Sequence, residues 1–165
     1  MNMHRLRSRS AGFTLVQMVI TVAIAAILMR IGFASYRTYV VRGYRAAAVA
    51  TLHSLTSRME AQGIASTLNN TGYATDFFTL VNVGTSGNTQ IYLSPDGSLK
   101  ADTSSGPSYQ LTLTTTGTPA TAYQFSAVPL GRQAKDDAAC GTLSVDSTGR
   151  QTISGTGNAA SCWGK

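Results

Sequence analysis

Residues 13–29 carry only three polar side chains, Thr14, Gln17 and Thr21, in an otherwise apolar run. As a helix rising 1.5 Å per residue the run is roughly 26 Å long, close to the ~30 Å hydrocarbon core of a bilayer. It predicts a membrane-spanning helix. Further on, Tyr36, Val40, Ala47, Ala48, Leu52, Leu55 and Met59 recur at spacings that place them on one helical face. No proline precedes Pro95, so a single helix over residues 13–65, roughly 80 Å long, is expected. Gly32 and Gly43 are its weak points, each about 1 kcal/mol less favourable than Ala.

Residues 66–89 are rich in Thr, Asn, Gly and Ser, with Phe77-Phe78-Thr79-Leu80-Val81 between. They read as a connecting loop pinned by an apolar plug. Strands follow: Gln90-Ile91-Tyr92-Leu93, Tyr109-Gln110-Leu111-Thr112-Leu113-Thr114, Tyr123-Gln124-Phe125-Ser126-Ala127-Val128 and Gly141-Thr142-Leu143-Ser144-Val145. Pro95-Asp96-Gly97 and Asp146-Ser147-Thr148-Gly149 are turns, and residues 150–153 suit a short returning strand. One apolar face opposite a Thr/Ser/Gln face predicts an antiparallel sheet of about four strands, covered on one side by the helix. The fold class is α+β. Residues 131–139 read as a solvated loop, and 154–160 as a tail that is floppy on composition alone.

Charge gives the apolar run a direction. His4, Arg5, Arg7 and Arg9 precede it with no acid among them, and such flanks stay in the cytoplasm, which sends the bulk of the chain outside. A secretory signal has the same layout, and Ala23-Ile24-Ala25 would serve as its cleavage site. Against that, the run continues to Met29 and merges with the longer helix.

The order of a basic leader, Gly12 and then Phe13-Thr14-Leu15-Val16-Gln17-Met18-Val19-Ile20-Thr21-Val22-Ala23-Ile24 resembles the class III signal of the type IV pilin family. The similarity extends to Ser35-Tyr36-Arg37-Thr38-Tyr39-Val40, Arg58-Met59-Glu60, Asn69-Asn70-Thr71-Gly72-Tyr73-Ala74, Cys140-Gly141-Thr142-Leu143 and the final Cys162-Trp163. It looks most like minor pilins of the PilE type. The resemblance implies a type IV pilin fold and cleavage by a prepilin peptidase between Gly12 and Phe13, with methylation of the new amine. Residues 1–12 are then leader, 13–34 a transmembrane and filament-core helix, 35–65 its amphipathic half, 66–89 the connection, and 90–165 a sheet head with a C-terminal disulfide loop. It also implies an inner-membrane anchor with a periplasmic head, followed by an extracellular pilus, with other pilins and the assembly platform as partners. Assembly, adhesion or twitching motility would be its work. Two residues depart from the family pattern: Gln17 stands where Glu is usual, and Ala34 where Pro is usual.

With the leader removed, 10 Lys or Arg face 7 acids; residues 13–75 balance at +4 and residues 76–165 at −1. All the excess lies on the helix. Contact with anionic headgroups or neighbouring acidic surfaces is one reading, and a salt-sensitive DNA-binding stripe is the other. Cys140 and Cys162 fit an exported protein, and a disulfide between them, as the resemblance implies, contributes roughly 3 kcal/mol. Neither belongs to a Cys-x-x-Cys pair of redox or zinc type. Arg30, ending the apolar run, suits a side chain that snorkels to headgroups.

Gln17 lacks the charge that, in the family, meets the terminal amine of a neighbouring subunit. It predicts weaker incorporation along the shaft and a tip or initiating role. His53, the only histidine after the leader, reads as a surface residue, and Gly155-Thr156-Gly157 lacks the strand and helix of a phosphate loop. Asp136-Asp137 lacks the geometry of a general acid and base, and Asp96, Asp102 and Asp146 lack the EF-hand ligand pattern. No enzyme, cofactor or metal site is expected. A pseudopilin of type II secretion is the rival within the same signal class, and a DNA-uptake pilin the rival of binding class.

Overall fold

A computed structural model describes residues 13–69 and 72–165. The expected leader with Gly12 lies outside the described residues, as do Asn70 and Thr71. Helix α1 runs Leu15–Asn69, 55 residues without interruption. Gly32 and Gly43 both sit on open helix surface, with no atom within 4 Å of where a Cβ would stand. Their backbone entropy is the only charge against the helix there, and strong helix formers such as Ala46, Ala47 and Ala48 sustain it.

The chain forms two units, one ending at Arg37 and one spanning Thr38–Lys165. In the first, Val16, Ile20, Ile24 and Ile27 are all more than half exposed. An all-round apolar helix is stable only against lipid or other helices, and α1 contains one segment long and apolar enough to cross a membrane.

In the second unit one stripe of α1 turns inward. Ala48, Leu52, Leu55 and Met59 are at most 1% exposed and join Phe77, Ile91, Leu111, Phe125 and Leu143 in one core. Each fully buried Leu contributes about 2 kcal/mol. Tyr36, expected on this stripe, belongs to the first unit and is exposed.

The described residues form a sheet of six antiparallel strands in the order β2-β1-β3-β4-β5-β6. These are β1 (Gln90–Leu93), β2 (Leu99–Lys100), β3 (Tyr109–Thr116), β4 (Ala122–Pro129), β5 (Leu143–Asp146) and β6 (Gln151–Ile153). The register sets Leu111 opposite Ala127 and Leu113 opposite Phe125, so alternate residues of neighbouring strands share the helix-facing side. On the wet side, Gln110 donates to Gln90 at 2.9 Å and the Ser126 and Ser144 hydroxyls meet at 2.9 Å, polar cross-strand pairs that need no burial.

Six strands replace the expected four or so. β2 has only two residues, too few to show alternation, and is defined by Tyr92 pairing with Lys100. β6 is the short return suggested by residues 150–153. Two segments expected as loops are partly helical. The apolar plug is helix α2 (Phe77–Val81), capped by the Asp76 carboxylate on the Thr79 amide at 2.7 Å; helix α3 (Gly131–Asp136) occupies the supposed solvated loop.

Candidate functional site

Two polar locks join α1 to the head. At one, the Arg45 Nε donates to Asp137 Oδ2 at 2.9 Å, and the same oxygen accepts from the Tyr109 hydroxyl at 3.3 Å and Gln133 Nε2 at 3.1 Å. Gln133 also donates to the Val41 carbonyl at 3.2 Å, so α3 is tied to α1 at both ends of the network. Asp137 is only 3% exposed. The adjacent-acid pattern suggested a solvated loop, but only Asp136 is exposed, where it meets Arg132. At the second lock, Glu60 accepts from the hydroxyls of Tyr73 and Tyr123.

Burial, the largest cause, raises the phenols of Tyr109 and Tyr123 above their ordinary range; Glu60 adds to it at Tyr123 and Asp137 at Tyr109. Free phenols titrate near pH 10, so the unfolded chain loses these protons first. The stability they contribute is complete below about pH 10 and declines as pH rises toward the folded values. Urea midpoints are therefore expected to fall between about pH 9.5 and 11, and Tyr109→Phe with Tyr123→Phe to flatten that fall. A profile equally steep in the double variant would assign the alkaline loss to other groups.

The tail is fastened rather than floppy. The Cys140–Cys162 disulfide closes it, helix α4 (Ala159–Cys162) is capped by Asn158, and the Trp163 indole donates to the Thr152 carbonyl at 3.2 Å. Gly155 and Gly157 donate to the carbonyls of Cys140 and Ala139 at 3.1 and 2.7 Å. A Cβ on Gly155 would stand 2.1 Å from the Ala139 oxygen, so these glycines serve close backbone approach. His53 is exposed, as expected, but engaged: its ring meets Trp163 edge-on at 5.8 Å and Gln151 lies 3.4 Å away.

Between α1 and the tail runs a groove of about 660 Å³, lined by Arg42, Arg45, Val49 and His53 on one side and Trp163 and Gly164 on the other. Lys165, the residue after Gly164, is exposed; Arg150, also exposed, donates its amide to the Asp146 carboxylate at 3.1 Å. The opposite edge of the sheet, at β1 and β2, carries Asp96 and Asp102 beside Lys100.

Asp96, Asp102 and Asp146 each turn their carboxylate onto the hydroxyl and amide two residues ahead, at Ser98, Ser104 and Thr148. Those hydroxyl bonds are the main cause holding the three carboxyls below their ordinary range. Among the described residues no group of three His, Cys, Asp or Glu could hold a metal.

In the first unit Gln17 accepts from the Thr14 amide at 3.0 Å while the Gln17 amide donates to Thr14 Oγ1 at 3.3 Å. This reciprocal cap satisfies two donors of the helix start. Thr14-Leu15-Val16-Gln17 has the capping-box spacing in plain sequence. Phe13 and Arg30 are exposed, and nothing among the described residues draws them to Gln17.

An N-terminal apolar helix, a helical stripe that covers a one-sided antiparallel sheet and a disulfide-tied tail are the architecture of a type IV pilin. A family model described as type IV minor pilin ComP, DNA uptake sequence receptor, matches residues 34–144. The chain belongs to that family, whose model names ComP rather than the PilE type suggested by the residue pattern. No curated protein matches the chain. Membership makes other pilins its partners.

Proposed function

We propose that this minor pilin is a DNA-binding subunit of a type IV pilus, acting in DNA capture rather than in adhesion. The observation that carries the reading is the match over residues 34–144 to a family described as a DNA uptake sequence receptor. It sets DNA ahead of the assembly, adhesion or twitching motility that the family resemblance placed first. Arg42, which lines the groove and has no acidic partner among the described residues, supports it, since phosphate contacts supply the sequence-independent part of DNA affinity. In this reading the prepilin peptidase cuts at Gly12, leaving Phe13 as the first residue. The apolar part of α1 holds the subunit in the inner membrane until the assembly platform passes it into the filament, and the head is a binding module without catalytic work.

Full-length mature protein in detergent is expected to retard a labelled DNA duplex in gel-shift assays, with affinity falling steeply as salt rises. The same protein should be recovered in sheared surface filaments. Absence of salt-sensitive retardation would remove the DNA role. Recovery only with type II secretion pseudopili would replace the pilus by the rival machine.

A further inference from the structure

We infer that one backbone strand of the DNA lies along the groove between α1 and the tail, with its phosphates on Arg42 and on Lys165, the residue after groove-lining Gly164, and the imidazole of His53 in the same wall as Arg42. This rests on the DNA-binding reading and gives it a location. Arg42 and His53 lie eleven positions apart on one face of α1 and both line the groove. That separation is roughly 17 Å along the helix, long enough for the wall to meet more than one phosphate of a strand. Arg45, in the same wall, is committed to Asp137; Arg42 has no acidic partner among the described residues.

The floor between the cations favours a backbone strand. Ala46, Val49 and Ala50 line it, so small side chains let a sugar-phosphate chain approach the helix, and the opposite wall is the Trp163 segment held by the disulfide. The far edge of the sheet, with Asp96 and Asp102, would repel the same ligand. The helical wall falls within residues 34–144, whereas Trp163 and Lys165 fall outside the match. The groove is thus assembled by the fastening of the tail.

The test uses full-length protein in detergent, a fluorescein-labelled DNA duplex and, separately, phosphatidylglycerol vesicles. Arg42→Glu with Lys165→Glu changes two exposed side chains and should weaken duplex binding at least about tenfold, while the salt slope falls by about 2. Lys100→Glu, at the far edge of the sheet, should bind as the parent does. Parent-like duplex binding by the Arg42/Lys165 variant, whether or not it loses vesicle binding, overturns the groove while leaving DNA binding intact. Failure of the parent itself to bind overturns both.

Discussion

Asp137→Ala is expected to lower the stability of the head by about 3 kcal/mol, the low end of the range for breaking a buried ion pair. The low end applies because Arg45 keeps 19% of its side-chain surface while Asp137 keeps 3%. Removing the carboxylate leaves a guanidinium without its counter-charge and strips acceptors from the Tyr109 hydroxyl and Gln133. Urea unfolding of the detergent-solubilised chain, followed by Trp163 fluorescence, reads the change. Adding Arg45→Leu to Asp137→Asn should recover more than half of the loss, because Asn still accepts from Tyr109 and no cation is stranded. A loss under about 1 kcal/mol in Asp137→Ala would show the pair behaving as a surface salt bridge.

Cys140→Ser with Cys162→Ser is expected to have a comparable effect, roughly 3 kcal/mol for a sequence separation of 22. The tail's remaining anchors are the Trp163 indole bond and the backbone bonds of Gly155 and Gly157; without the covalent closure they must also offset the chain entropy of residues 154–165. The tail should become cleavable near Gly157 in limited proteolysis while β3 and β4 stay protected. A tail as resistant as the parent's would mean that the noncovalent anchors suffice, and the disulfide would lose its assigned role. In the proposed DNA reading the same variant also loses one wall of the groove, so duplex binding and tail protection should fall together.

Much of this molecule was legible before any coordinates. The apolar run, the stripe of Ala48, Leu52, Leu55 and Met59, and the alternation in β1, β3, β4 and β5 are local periodicities, and period alone separates helix from strand. Glycine played a double part. Its cost to α1 was readable and proved tolerable, whereas the need for Gly155 depends on Ala139, sixteen residues earlier in the chain.

The candidate site was legible only in part. Arg42, Arg45 and His53 stand on α1 in an order any helical wheel would show. Their opposite wall comes from residues more than one hundred positions later, and only the disulfide and the Trp163 bond bring it there. Asp137 was misplaced for the same reason: beside Asp136 it has the sequence of a solvated loop, and its burial follows from where α3 lands on α1. Gln17 differs. Its partner Thr14 is three residues away, so this cap is legible in the sequence itself.

The residue pattern therefore decided which segments are helix and strand, which faces are apolar, and that one end of the chain requires lipid or other helices, because these depend on neighbours within a turn or a pleat. The edge pairing of β2, the burial of Asp137, the bonds of Glu60 to Tyr73 and Tyr123 and the groove beside Trp163 depend on contacts across many residues. Short-range propensity carries no information about such contacts, and packing the sheet against α1 creates them.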